Sequence, residues 1–179
     1  LYDKYGYSKD IILKFSTKQT NKLLEKLIYY TSFVDNEYSK SLLKLINDNK
    51  TAILRIPSIN SKYHFEGGFL VQLISVLNLN HKTCPIYKYD YPESILAIIL
   101  KFIGTIDYYS LDDDFSVSEE NHNIGHRLLG LKILEKYFNK NTPTVNLMKN
   151  LIIANQSNDS TLLNTIDSLY TFDTSMNNL

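Results

Sequence analysis

The chain has a single cysteine, Cys84, and no tryptophan. One cysteine excludes an internal disulfide and a zinc site built on several thiolates, and it favours a reducing compartment. The longest apolar run, residues 95–100, is far shorter than the roughly 20 residues that a membrane-spanning helix needs. We recognise no secretion signal in the sequence. A cytoplasmic location without membrane contact is therefore expected.

An excess of charge of one sign is also lacking. The chain has 19 basic and 19 acidic residues, so nothing global directs it to nucleic acid or to an anionic membrane. Its 179 residues, 44% of them hydrophobic and 21% charged, are enough for one globular domain with a sizeable core. No repeat or low-complexity tract interrupts it. The abundance of lysine, asparagine, isoleucine and tyrosine is typical of an AT-rich genome, such as that of a phage or a low-GC bacterium.

Most apolar residues recur at helical spacing, so the predicted fold class is all-α. An irregular lead-in is expected over residues 1–15, one helical domain over 16–172 and a frayed tail over 173–179. The domain is predicted to be a bundle of about seven helices. These begin near Ser16, Asp35, Glu66, Asp90, Ile124, Val145 and Leu162.

Three shorter segments are less regular. Residues 51–56 are β-branched and fit a strand as well as a helical turn. Residues 81–91 contain Pro85 and are predicted to be a loop after a helix that ends near Leu79. Residues 107–120 are acidic and are predicted to be an exposed loop. Because exposed tyrosines suit interfaces, the aromatic part of the first loop, 84–91, and the acidic loop are both candidate contact surfaces.

Two adjacent glycines, Gly67 and Gly68, open an amphipathic run. Glycines at the start of a helix allow another backbone or a ligand to approach closely. The simplest interpretation of this pair is a core helix with a permissive first turn.

Possible metal ligands are sparse. His122 and His126 stand four residues apart and can share one helix face, but two histidines are not a complete site. Three aspartates at 112–114 offer oxygen donors for a hard cation. A solvated acidic loop is the simpler interpretation of that run, since charged loops usually face water.

Signals for other chemistry are weaker still. His81 precedes Cys84 by three residues, but no third group is in view to orient a base toward the thiol, so a catalytic cysteine is not favoured. Tyr108 and Tyr109 are interpreted as packing groups beside a buried helix. The sequence contains neither a glycine-rich phosphate loop nor a basic run interleaved with aromatic residues, which nucleic-acid binders show.

Five short motifs nevertheless occur in a recognisable order. They are 67–72 (Gly-Gly-Phe-Leu-Val-Gln), 104–108 (Gly-Thr-Ile-Asp-Tyr), 124–130 (Ile-Gly-His-Arg-Leu-Leu-Gly), 151–156 (Leu-Ile-Ile-Ala-Asn-Gln) and 165–169 (Thr-Ile-Asp-Ser-Leu). Together they resemble the HD-domain metal-dependent phosphohydrolases, in particular the branch of bacterial 3′–5′ exoribonucleases with an HD domain. The resemblance covers about residues 23–172 and implies an HD-like helical bundle.

The resemblance also implies a set of ligand positions. Where the family has its first histidine ligand, this chain has Gln72; where it has its His-Asp pair, this chain has Gly104 and Thr105. A later histidine pair is lost at Asn155 and the residue after it. Two ligand positions are retained, His126 and Asp167.

Two ligands are too few, because a hydrolytic metal site usually keeps three protein ligands and an open position. The resemblance therefore implies an inactive relative without metal or other cofactor. Its old substrate position would be a vestigial cleft lined by Gln72, Tyr108, His126, Asn155 and Asp167. The expected role is a structural or protein-interaction module, an accessory subunit of a larger assembly whose partner is another protein.

Two alternatives stay open. One is a phosphoesterase with a rebuilt metal site made of Asp107, His122, His126 and Asp167. The other is nucleic-acid binding without catalysis, which the neutral charge disfavours. A basic cluster on one face would support it, formed by Lys62, Lys101 and Arg127.

Overall fold

The computed structural model describes residues 17–112, 114–153 and 161–175. Every regular element in these ranges is helical, which confirms the all-α prediction. A short 3₁₀ turn at Ser61–Tyr63 precedes the longest helix. The α-helices are α1 (Thr17–Thr31), α2 (Asn36–Asp48), α3 (Lys50–Arg55), α4 (Gly68–Tyr87), α5 (Tyr91–Lys101), α6 (Thr105–Tyr108), α7 (Glu119–Tyr137), α8 (Pro143–Ile153) and α9 (Thr161–Ser175).

Helices α4 and α5 form the centre of the bundle. Residues 94–100 of α5 are all buried, as expected for a helix surrounded by others. Helix α4 packs against α1, α3, α5 and α9, and α5 packs against α8. Around them, α7 packs against α5, α6 and α8, and α2 packs against α1, α3 and α7. Positions contributed by α4, α5 and α9 therefore lie near one another.

Local capping explains several helix starts. Asp90 Oδ1 accepts a hydrogen bond from the Glu93 amide at 2.7 Å, and Pro92 occupies the first turn of α5, as predicted. Ser118 Oγ accepts one from the Asn121 amide at 3.1 Å at the start of α7. Each cap satisfies an amide that the helix itself leaves without a partner.

The predicted loop over residues 81–91 is wrong for most of its length. Helix α4 continues to Tyr87 with Pro85 inside it, and Lys88 then ends it in the left-handed conformation at φ 55°. The hydrogen bond that Pro85 cannot donate would go to the carbonyl of His81. Because His81 is exposed, water can satisfy that carbonyl, and the helix tolerates the proline near its end.

Other boundaries differ less. Residues 51–55 form most of the short helix α3 and Ile56 follows it in an extended conformation, so this segment is a helical turn and not a strand. Helix α6 is a second short helix beyond the seven expected. The acidic loop is shorter than expected, because Asp107 belongs to α6 and Glu119 begins α7. Helix α9 runs to Ser175 with Asp173 buried, so the expected tail begins later. Residues 1–15, Ser16 and 176–179 lie outside the described ranges.

Two glycines show why glycine is needed where it stands. A Cβ atom at Gly68 would lie 1.8 Å from the carbonyl oxygen of Tyr63, so the predicted close approach of another backbone is confirmed. Gly125 kinks α7 with φ 76° and ψ 150°, a conformation that is essentially restricted to glycine. Within the described ranges, no helix combines the length and apolar character needed to cross a membrane.

Candidate functional site

A polar cavity of about 300 Å³ opens between α4, α5, α9 and the loop before the 3₁₀ turn. It brings together two positions of the vestigial cleft, Gln72 from α4 and Asp167 from α9. The packing of α4 against α9 places them side by side although they are far apart in sequence. The lining residues are Ser58, Ile59, Asn60, Gln72, Lys101, Phe102, Asp167, Tyr170, Thr171 and Thr174.

Gln72 belongs to a neutral hydrogen-bond network. Its Oε1 accepts a bond from Ser58 Oγ at 2.5 Å, and Ser58 Oγ accepts one from the Asn60 amide at 3.1 Å. Gln72 and Ser58 are both buried, so each needs a partner inside the protein. The amide at this position therefore fastens the 58–60 loop to α4.

Asp167 is engaged by a lysine. Its carboxylate forms an ion pair with Lys101 Nζ; the Lys101 side chain is 11% exposed and that of Asp167 39%. The same ammonium lies 5.7 Å from the centre of the Phe102 ring and 5.8 Å from that of Tyr170. Such contacts with ring faces stabilise a cation that is partly removed from water.

The environment of Lys101 acts on its charge in two directions. Burial, and secondarily the nearby Arg127, lower the pKa of Lys101 to about 8, whereas contact with the Asp167 carboxylate favours the ammonium. Since a pKa of about 8 lies above neutral pH, Lys101 is mainly charged at pH 7 under either influence. The cavity thus holds one cation and one anion.

Gly104 is fixed by packing between α6 and α7. A Cβ atom there would lie 1.8 Å from the His126 carbonyl oxygen and 2.4 Å from the Gly130 nitrogen. No side chain fits at this position without displacing α7, so close backbone contact requires glycine here. Thr105, which follows, is fully buried, and its Oγ1 has no hydrogen-bond partner in the described part of the chain.

His126 lies outside the cavity. Its ring contacts those of Tyr108 and Phe102, with centroids 6.0 and 6.2 Å away. Burial, and secondarily Arg127, lower the pKa of His126, so it is neutral at pH 7. Tyr108 also packs on Tyr109, which supports the predicted packing role of that pair. Asn155, the remaining cleft position, lies outside the described residues.

The rebuilt metal site is not assembled. Asp107 and His122 are exposed, and Asp167 pairs with Lys101. Over the described ranges, no three side chains of His, Cys, Asp or Glu are placed to hold a common ion. The acidic run is exposed at Asp112 and Asp114, and Asp113 lies outside the described residues.

The cysteine and the basic residues are likewise engaged elsewhere. Cys84 is buried, its Sγ donates to the Tyr89 carbonyl at 3.2 Å, and burial raises the pKa of the thiol. His81 bonds the Tyr91 hydroxyl instead, at 2.8 Å. Among the three basic residues, Lys62 donates to the Asp173 carbonyl and Arg127 to that of Ile153. Since Lys101 is only 11% exposed and pairs with Asp167, these three residues do not form an open basic face.

A second surface feature is an apolar groove of about 550 Å³ between the end of α4 and α9. Ile86 and Tyr87, both 70% exposed, and Phe172, 49% exposed, lie on these two helices. Of the segment 84–91, whose role as a contact surface stays a prediction, Tyr87 lines this groove; the residues of α9 were not selected from the sequence. The groove, as named below, is lined by Leu79, Thr83, Tyr87, Asn164, Thr165, Ser168, Leu169 and Phe172.

Comparison with protein-family models, with curated proteins and with solved structures found no match to this chain. The resemblance to HD phosphohydrolases thus rests on the motifs and stays a prediction. Sequence reasoning missed Ser58 and the pairing of Lys101 with Asp167. The available signal for Lys101 was a charged residue directly after the apolar run 95–100.

Proposed function

We propose that this chain is a catalytically inactive, HD-like helical module that binds another protein, as an accessory subunit of a larger assembly. The observation that carries the binding role is the groove between α4 and α9. Exposed aromatic and aliphatic side chains beside a groove mark surfaces that are covered by a partner.

The composition of the groove supports a protein partner. No charged residue lines it, and it combines the apolar side chains of Leu79, Leu169 and Phe172 with hydroxyl and amide groups. Depletion of charge and enrichment in aromatic residues are typical of the centre of a protein interface. Burying one exposed aromatic or leucine side chain contributes about 1.5–3 kcal/mol, so Tyr87 and Phe172 are the expected anchors.

The inactive part of the proposal is supported by what occupies the former ligand positions. Gln72 holds a loop, Gly104 allows two helices to touch, and Asp167 neutralises Lys101. Each of these positions is engaged by another part of the chain. Activation of a water molecule by a metal would need ligands that these side chains do not supply.

The binding role is tested with Tyr87→Gln and Phe172→Gln. The partner would first be identified by a photocrosslinking side chain placed at Ser168, followed by mass spectrometry, and then purified for titration. We expect each substitution to weaken binding of the purified partner at least about tenfold, which corresponds to about 1.4 kcal/mol. Leu128→Gln is the matched control and should bind normally, because Leu128 is an apolar residue on α7 that is 53% exposed, close to the 49% of Phe172. Unchanged affinity of both groove variants would refute the assignment of the groove.

The inactive role is tested by metal content and phosphoesterase activity. We expect no stoichiometric divalent ion after mild dialysis, and no hydrolysis of phosphodiester or nucleotide substrates with added Mn²⁺. A bound ion that disappears in His126→Ala would overturn this part of the proposal and restore the enzyme alternative.

A further inference from the structure

The polar cavity has a feature that binding in the groove does not explain. Its lining contains one ammonium, Lys101, and one carboxylate, Asp167, in contact with each other, while every other lining side chain is uncharged. A partly buried ion pair is costly, because both groups lose hydration and their attraction repays that cost only with good geometry. A bundle stabilised by apolar packing does not need one at the end of its most buried helix.

The charges restrict what can enter. A ligand with a single charge would leave either Lys101 or Asp167 without its partner, and an uncompensated charge in a partly desolvated site is strongly unfavourable. A ligand with one negative and one positive group can exchange partners with the pair, so that every charge remains matched. A neutral ligand would form no ion pair with either Lys101 or Asp167.

We propose that this cavity binds a small zwitterion, a free α-amino acid, whose carboxylate pairs with Lys101 and whose ammonium pairs with Asp167. The two protein groups reach the cavity from different helices, α5 and α9, so a ligand between them would connect these helices. The assignment concerns a site separate from the groove and does not depend on the proposed protein partner.

The rest of the lining suits the side chain of such a ligand. Ser58, Asn60, Gln72, Thr171 and Thr174 provide hydroxyl and amide groups. The hydroxyl hydrogens of Ser58, Thr171 and Thr174 are donated within the protein, so these oxygens offer a ligand mainly acceptor lone pairs. A volume of about 300 Å³ is close to that of ten liquid water molecules and accommodates an amino acid of ordinary size. A polar or amide side chain is therefore favoured over a large apolar one.

The two aromatic rings position the cation for this role. The rings of Phe102 and Tyr170 pack edge to face with their centroids 4.8 Å apart, and Lys101 Nζ lies near both ring faces. The Tyr170 hydroxyl is held by the Ile98 carbonyl at 2.9 Å. A fixed ammonium loses little conformational freedom when a carboxylate binds, which favours affinity.

The test measures the thermal midpoint of unfolding, Tm, of the full chain with each standard L-amino acid at about 10 mM. Binding at a dissociation constant near 1 mM should raise Tm by about 3 °C or more. Titration calorimetry would confirm the best ligand. Its N-acetyl derivative, its decarboxylated amine, a neutral hexose and a nucleoside serve as comparison ligands. We expect binding of the amino acid and at least tenfold weaker binding of each derivative with one charge.

Variants separate the ion pair from general stability. Asp167→Asn and Lys101→Met should each weaken amino acid binding at least tenfold; Asp167 is more exposed, so its variant keeps the test informative if Lys101→Met does not fold. Lys149→Met is the matched control. Lys149 Nζ lies 3.7 Å from Glu135 Oε1 in another ion pair, and neither residue lines the cavity. Three results would overturn the proposal: no Tm change with any amino acid, equal binding of the singly charged derivatives or the neutral ligands, or full affinity in Asp167→Asn.

Discussion

Gly104→Ala adds one methyl group at the tightest helix contact near the candidate site. The new Cβ would lie 1.8 Å from the His126 oxygen, 2.4 Å from the Gly130 nitrogen and 2.8 Å from the Gly130 Cα. All three are backbone atoms, so no change of side-chain rotamer can relieve the clash. Helix α6 or α7 must move.

The magnitude follows from the cost of overpacking. Extra methyl groups in a packed core usually cost 1–3 kcal/mol, even where neighbouring side chains can adjust. Here the neighbours are helix backbone, so we expect a loss of at least about 3 kcal/mol. That is a large part of the roughly 5–15 kcal/mol that stabilises an ordinary domain.

The assay is urea-induced unfolding followed by far-ultraviolet circular dichroism, because the chain has no tryptophan. Gly130→Ala is the matched control: its Cβ would lie 3.2 Å from a methyl group of Ile152 and 3.3 Å from the Gly104 backbone nitrogen, contacts that shifts of a few tenths of an ångström relieve, so we expect a smaller cost of about 1 kcal/mol. A loss in Gly104→Ala that is no greater than in Gly130→Ala would refute the packing explanation.

Three further predictions concern single groups. Burial lowers the pKa of Lys101 from 10.5 to about 8, so the unfolded chain binds this proton more tightly. The free energy of unfolding should therefore rise as the pH increases from about 8 to 10.5, by roughly 1 kcal/mol or more after allowance for solvent screening, and Lys101→Met should remove the rise. If the free energy of unfolding fell over this pH range instead, the ion pair with Asp167 would outweigh burial in setting the pKa of Lys101. Burial also lowers the pKa of His126 below its ordinary 6.5, so the unfolded chain takes up a proton first and stability should decrease as pH falls below about 6.5. Denaturation curves of His126→Gln should lack this decrease in stability. If the decrease were unchanged in the variant, other titrating groups would be responsible for it. Cys84 is buried with a raised thiol pKa, so iodoacetamide should label it about a hundredfold more slowly in the folded chain than in urea, and equal rates would contradict its burial.

Helix positions were predictable where the determining interactions are local. The Asp90 cap and Pro92 act within one turn of α5, so their effect can be derived from neighbouring residues. Pro85 led to a wrong prediction for a related reason. A helix break is the usual outcome, but here the proline lies near the helix end and leaves without its partner only the carbonyl of His81, an exposed residue. The short helices α3 and α6 carry too little periodic pattern to be distinguished from turns.

The candidate site was predictable only in part. Gln72 and Asp167 were selected from motifs, and the structure places both in one cavity; His126, selected in the same way, lies outside it among aromatic rings. The pairing of Asp167 with Lys101 depends on how α9 crosses α5. No spacing along the chain encodes that crossing.

By itself, the sequence determined that the chain is helical, where most helices begin, and that no disulfide can form within it. These properties depend on short-range periodicity, capping and residue chemistry. Only the tertiary structure decided that Gly104 is required by contact with α7, that Lys101 faces Asp167, and that α4 and α9 enclose an apolar groove. Each of these depends on distances between residues remote in sequence, which are set by the joint packing of several helices.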